Sequence, residues 1–165
     1  MTNGSAAVLR PAELADVPAL VALRLANAAR HVALDPRIYR VPDAEAVRRH
    51  FESVLGSALI TVAEVDGSVV GMAEVVLLPP APDHQILVPR TGADLHTVVL
   101  DTHRGRGIGA ALVAAAEEVA AAHGVSTLYA GIFATNTAAV SFYGACGFTP
   151  RGTLLSKTVP AQPEH

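Results

Sequence analysis

The chain reads as a single mixed α/β domain, and three features of its 165 residues predict this. An alanine-rich stretch with helical periodicity, 108–122, separates two apolar, β-branched runs, 94–100 and 125–133. A crossover of that length is what a parallel strand pair requires. Asp66-Gly67 lies between the apolar runs 58–65 and 68–78, a two-residue hairpin signal that predicts an antiparallel pair. The length itself suits one domain, which can bury about two thirds of its unfolded surface and fold without metals or disulfides.

Taken in order, residues 7–10 read as a short strand. Pro11 then opens an amphipathic helix carried by Leu14, Val17, Leu20, Val21, Leu23 and Leu25 to about Arg30, with Pro18 marking a second start within it. The chain from His31 to Tyr39 reads as loop. Asp43 to Leu55 has helical periodicity, with Ala44, Val47, Phe51 and Leu55 on one face and prolines 36 and 42 separating it from the first helix. Residues 79–90 hold four prolines and predict a long surface loop. In the helix 108–122, Ile108, Leu112, Ala115 and Val119 are expected to face the sheet and Glu117 and Glu118 the water, with Gly124 as its stop. The run 125–133 is apolar enough for the middle of a sheet, and Asn136 caps a last helix, 137–145.

Seventeen residues follow Phe148, so any closing hairpin is short: 149–152 and 153–159 can just supply it. A truncated edge, a swapped strand and completion by a partner subunit stay open, a homodimer among them. The domain is expected to span 7–159, with 1–6 and 160–165 as loose ends.

Composition excludes several classes. A net charge of −3 argues against a nucleic-acid surface. The chain is 51% hydrophobic, yet its apolar runs are broken well before the ~20 residues of a membrane span. No basic stretch followed by an apolar run opens it, so no secretory leader is expected. Cys146 is the single cysteine, which predicts a reducing, cytoplasmic setting; it reads as small-residue packing near a helix end, with a catalytic thiol as the rival. The seven histidines lack the spacing of a metal site, so none is expected.

Between the run 94–100 and the helix after it stands Arg104-Gly105-Arg106-Gly107-Ile108-Gly109. Strand, glycine-rich turn and helix make an anion cradle: glycines let the backbone come close to a ligand, and the first helical N–H groups have no acceptor of their own. The helix dipole and two arginines add positive charge, which suits a pyrophosphate. The bland alternative is a polar loop with capping glycines. About thirty residues on comes Asn136-Thr137-Ala138-Ala139-Val140-Ser141-Phe142-Tyr143-Gly144-Ala145-Cys146-Gly147-Phe148, a cap, a short helix and a Gly-Phe expected to start a new strand.

Together the two blocks resemble the GCN5-related N-acetyltransferase (GNAT) family, with its Arg/Gln-x-x-Gly-x-Gly/Ala turn and its Asn-x-x-Ala-x-x-Phe-Tyr-x-x-x-Gly-Phe block. Arg104, Gly107 and Gly109 meet the first; Asn136, Ala139, Phe142, Tyr143, Gly147 and Phe148 meet the second. The resemblance is good over 93–150, and Val8-Leu9-Arg10-Pro11-Ala12 looks like the family's first strand and turn. It implies the acyl-CoA N-acyltransferase fold: a mostly antiparallel sheet with one parallel pair splayed for CoA, flanked by about four helices. The activity it implies is acetyl transfer from acetyl-CoA to a primary amine, of a small molecule or of a peptide or protein. A catalytically silent acyl-CoA sensor is the alternative. A nucleotide-binding P-loop is disfavoured because the turn lacks Gly-Lys-Ser/Thr.

By the same resemblance the pyrophosphate lies on Arg104, Gly105, Arg106, Gly107, Ile108, Gly109 and Ala110, and the pantetheine pairs with backbone at Val98, Val99 and Leu100. Asn136 is a plain cap or a cap that also contacts the pantetheine. Tyr143 is the candidate acid: a phenol with a pKa near 10 stays protonated at neutral pH and can protonate a departing thiolate. Its rival role is packing the last helix on the sheet. For the base, Glu74, Asp94 and His96 stand beside a water chain, and His96 titrates in the right range unaided. Alternation puts Asp94 and His96 on one face and Leu95 and Thr97 on the other, unless a bulge intervenes. Acceptor identity is left to residues 24–56 and the loop 79–92. Their Arg24, Arg30, His31, Arg37, Tyr39 and Arg40 would greet an acidic acceptor or form a solvated surface.

Overall fold

The computed structural model describes residues 5–57 and 59–162; most of the expected loose ends, 1–4 and 163–165, and Ala58 at the head of the second strand lie outside the described residues. The described chain folds as β1 (Val8–Pro11), α1 (Val17–Leu34), α2 (Ala44–Val54), β2 (Leu59–Val65), β3 (Ser68–Leu77), β4 (Gly92–Val99), α3 (Ile108–Ala122), β5 (Thr127–Tyr129) and α4 (Thr137–Ala145). Single 3-10 turns at Leu14–Asp16 and Asp101–His103 lead into α1 and follow β4.

The five strands lie in chain order, β1-β2-β3-β4-β5, antiparallel except for the last pair. Asp66 and Gly67 both take positive φ at the β2–β3 turn, the geometry that makes Asp-Gly a hairpin pair. Helices cover both faces. On one, Val17, Leu20 and Leu23 of α1 and Val47 and Phe51 of α2 bury against Ile60, Val62, Met72 and Val98. On the other, Ile108, Leu112, Val113, Ala116 and Ala120 of α3 bury against Ala73, Val75, Ala93 and Leu95, with Phe142 and Tyr143 of α4 packed alongside. Burying a single Leu or Phe side chain is worth about 1.5–3 kcal/mol, so these two clusters hold the layers together.

Several boundaries differ from the sequence reading, each for a local reason. α1 runs four residues past Arg30, because Ala, His and Val continue the helix until Asp35, which Pro36 forces into an extended conformation (φ −157°, ψ 102°). Pro18 sits in the first turn of α1, where its missing N–H costs nothing. The buried stripe of α3 is rotated: Ala116 and Ala120 are enclosed where Ala115 and Val119 were expected, while Glu117 and Glu118 face water as anticipated. The expected strand 125–133 is three residues long and lies at the edge of the sheet, not in its middle. Neither 149–152 nor 153–159 forms a strand; Gly-Phe at 147–148 leads into exposed chain without regular structure through residue 162.

The order β4-α3-β5 puts the parallel pair where the site must be. Pairing runs Gly92↔Thr127, Ala93↔Leu128, Asp94↔Tyr129 and then stops, although β4 continues to Val99. Beyond Asp94 the two strands part, which leaves the last five residues of β4 with a free edge on that side.

Candidate functional site

The turn before α3 is built as the sequence suggested. Gly105 and Gly107 have φ of +73° and +78°, left-handed values that L side chains adopt only at a cost of about 1–2 kcal/mol. Gly107 is the N-cap of α3 and offers no side chain to it. Ala111 N–H is the first to find an acceptor, the Gly107 carbonyl at 3.0 Å. The N–H groups of residues 105–110 have no protein acceptor among the described residues and gather at the positive end of the helix. Gly109 has a different task from the other two. A Cβ there would sit 3.0 and 3.1 Å from the Phe142 ring, so this glycine lets α4 close on the first turn of α3.

Charge around the cradle is partly paired. Arg104 Nε lies 3.1 Å from Asp101, and Arg30 reaches the same carboxylate at 3.2 Å from the far end of α1. Arg106 is exposed. Arg30 therefore belongs to the cradle and not to the acceptor cluster in which the sequence reading placed it. That cluster is largely neutralised from within: Arg24 pairs with Glu74 at 3.0 Å and Arg37 with Asp35 at 2.9 Å.

Asn136 caps α4, its Oδ1 accepting the Ala139 N–H at 3.2 Å, which leaves its amide NH2 unused by the cap. α4 carries Tyr143 to the gap beside β4. Its ring stands edge-on to Phe142 (5.0 Å) and Phe148 (5.2 Å). Burial pushes the phenol above its ordinary pKa, and the neighbouring Thr97 only partly opposes the shift. Thr97 Oγ1 is enclosed without a hydrogen bond of good geometry, so the Tyr143 hydroxyl is beside it yet not committed to it. Thr97 is the residue the sequence reading passed over, although strand alternation had already put it on this face.

The candidate bases lie on the opposite face of the sheet. The β3–β4 register runs unbroken from Gly71↔Val99 to Leu77↔Ala93, so alternation in β4 holds and Asp94, His96 and Val98 share the α1–α2 side. The one register shift in this sheet is at Ala63/Glu64, two strands away. Glu74 and His96 are direct cross-strand partners. Glu74 is 5% exposed and tied to Arg24, whereas His96 is exposed. Val98 is buried and Val99 and Leu100 half-buried along the free edge of β4, between cradle and gap.

Two further features shape the site. His31, Tyr39 and Phe133 form an aromatic row, with ring centroids 4.9 and 5.5 Å apart, from the end of α1 to the segment after β5. Tyr39, Asp94 and Tyr143 also border a groove of about 1340 Å³ beside β5. Cys146 is half-buried, and burial followed by the nearby Glu117 raises its thiol pKa, the reverse of what a nucleophilic thiol needs.

Comparison with known proteins agrees with this geometry. Residues 24–148 match the Acetyltransferase (GNAT) family. An L-2,4-diaminobutyric acid acetyltransferase from Nocardia farcinica is 35% identical over 96 residues, 58% of this chain and 46% of the relative, so the match spans about half that protein's length. A solved ribosomal-protein-alanine N-acetyltransferase from Brucella melitensis superposes with TM-score 0.70 at 29% identity, covering 88% of this chain and 86% of that one. An aminoglycoside N-acetyltransferase in complex with CoA superposes with TM-score 0.74 at 18% identity, covering 98% and 99%, a likeness of fold. With three quarters of its length matched to the family model, the chain belongs to the GNAT acetyltransferases, enzymes that use acetyl-CoA.

Proposed function

We propose that the protein transfers the acetyl group of acetyl-CoA to a primary amine of a small molecule by direct attack in a ternary complex. One observation carries the reading: a run of unpaired N–H groups at 105–110 stands at one end of a free strand edge, and a half-buried, protonated phenol stands along it. The cradle would take the pyrophosphate. The edge of β4 at Val98, Val99 and Leu100 would pair with the amides of the pantetheine, which brings the thioester into the gap beyond Asp94 and Tyr129.

Each group then has a step. His96, exposed on the strand beside the gap, takes the proton that an ammonium acceptor must lose. Glu74, held by Arg24, stands across the strand pair from it, a paired carboxylate beside the base. The amine lone pair attacks the thioester carbon, backbone N–H groups of the splayed strand hold the oxyanion, and the C–S bond breaks. Tyr143 gives its proton to the departing sulfur, and the second proton, which the nitrogen sheds as the amide forms, returns to the phenolate through solvent. A silent sensor would have no use for a half-buried phenol left free to donate at the gap.

The acceptor class rests on the diaminobutyrate-acetylating relative, with Tyr39 and Phe133 of the aromatic row offering ring surface on the groove that Tyr143 also borders. Thiol release from acetyl-CoA with a panel of diamino acids, polyamines, aminoglycosides and peptide N-termini tests this. Turnover with a small amine is expected. Calorimetric silence with acetyl-CoA, or binding without turnover on any amine, overturns it.

A further inference from the structure

Thr97 carries a hydroxyl that the fold does not use. It stands in β4 between Leu95 and Val99, which share its face and pack into the cluster built on α3. A valine has the same shape and would serve that packing, whereas a hydroxyl shut away without a partner is a cost. Thr97 Oγ1 is enclosed and makes no hydrogen bond of good geometry among the described residues. Buried oxygens of this kind are rare enough in native proteins to call for a purpose.

The surroundings supply one. Beside Oγ1 stands the Tyr143 hydroxyl, carried there by α4, and the Thr97 N–H faces the same phenol oxygen. Strand geometry explains how one residue reaches that oxygen twice. Leu100 N–H donates to the Val70 carbonyl of β3 at 2.9 Å, so alternation turns the Thr97 N–H the other way, onto the edge of β4 left free beyond Asp94. The Thr97 side chain meanwhile lies on the face where Tyr143 packs, and Asp94 and His96, the titratable groups of β4, lie on the other. Among the described residues Thr97 alone favours an ionised phenol. Burial opposes it, and so does Cys146 on the same helix, itself near Glu117.

We infer that Thr97 is the positioning residue of the acid: its hydroxyl and its N–H cup the Tyr143 oxygen and hold it through the proton transfer to the coenzyme sulfur. Before transfer Thr97 Oγ–H, which has no other acceptor among the described residues, donates to the phenol oxygen and leaves the phenol's own O–H turned to the gap. In the step the Tyr143 O–H bond breaks, and its proton bonds to the sulfur as the C–S electron pair returns to that atom. The phenolate then accepts from Oγ–H and N–H of Thr97, which gives up no proton itself. The proton that the nitrogen sheds as the amide forms discharges the phenolate. This rests on Tyr143 being the acid, and adds the group that lets a half-buried phenol part with its proton.

The chain has three tyrosines, Tyr39, Tyr129 and Tyr143. In protein grown on difluorotyrosine, fluorine lowers the phenol titrations to a pH where the fold holds, and fluorine NMR follows each ring. The Tyr143 signal is the one missing from Tyr143→Phe. Thr97→Val is expected to move the Tyr143 midpoint up by about one pH unit, as one hydrogen bond to a charged oxygen requires, and to leave the other two in place. Thr97→Ser should restore it. In thiol release from acetyl-CoA with L-2,4-diaminobutyrate, Thr97→Val should lower kcat about tenfold at unchanged KM for acetyl-CoA, and should slow Tyr143→Phe no further. Its thermal midpoint should not fall, since the fold loses no contact. A Tyr143 midpoint that stays in place in Thr97→Val, or the same tenfold loss on the Tyr143→Phe background, would overturn the inference. A midpoint that moves while Tyr143→Phe turns over as fast as wild type faults the acid assignment instead.

Discussion

Tyr143→Phe isolates the one proton that the site is built to give. The ring keeps its edge contacts with Phe142 and Phe148, and the hydroxyl it loses makes no well-formed hydrogen bond, so the fold should lose less than about 1 kcal/mol. General acid catalysis contributes roughly 10²–10⁴-fold. The lower part of that range applies here. A thiol has a pKa of about 8.5 and leaves tolerably as thiolate, while burial raises the phenol above its ordinary value and makes it a reluctant acid. The expected loss in kcat is about 10²–10³-fold, or roughly 2.7–4 kcal/mol of barrier. Binding of acetyl-CoA should be unchanged, because the cradle at 105–110 lies on another element. Thiol release under saturating substrates reads the rate, and titration calorimetry reads the affinity. The raised pKa also fixes a sign: the wild-type rate should show no loss from phenol ionisation until above pH 10. A variant within threefold of wild type, or one whose rate loss tracks weakened acetyl-CoA binding, would refute the assignment of the proton to Tyr143.

Gly107→Val puts a β-branched residue at φ +78°; relaxing it closes the cradle, so acetyl-CoA affinity should fall at least tenfold by calorimetry, with about 2 kcal/mol lost in urea melts. Asn136→Ala removes the side-chain cap of α4 and should cost about 1 kcal/mol in the same melts. Asp16 is held below its ordinary carboxylate pKa, chiefly by its hydrogen bonds to Arg10, which also binds Glu64. Its contribution is full above the unfolded pKa near 4 and disappears as pH falls through the folded value. Asp16→Asn should therefore cost about 2 kcal/mol at pH 7 and progressively less as the pH is taken below 4, measured by denaturant titration across that range.

What was legible in the chain was whatever depends on neighbours in sequence. The Asp-Gly turn, the glycine cradle, the Asn136 cap and the α3 boundaries are each decided within a few residues, by φ preference or by an N–H that lacks an acceptor. Pairing partners of charged groups were not legible. Nothing local distinguishes Arg30, which reaches Asp101 at the cradle, from Arg24, which neutralises Glu74 on the other side of the sheet. Both lie on α1, and which carboxylate each meets is set by how that helix crosses the strands.

The edge of the sheet shows the same limit more sharply. The run 125–133 is as apolar as a central strand, yet none of its residues is fully buried and its outer side borders the groove, because composition does not report a strand's rank in the sheet. Three residues of it pair, and the rest diverges from β4 to open the gap that Thr97 and Tyr143 border.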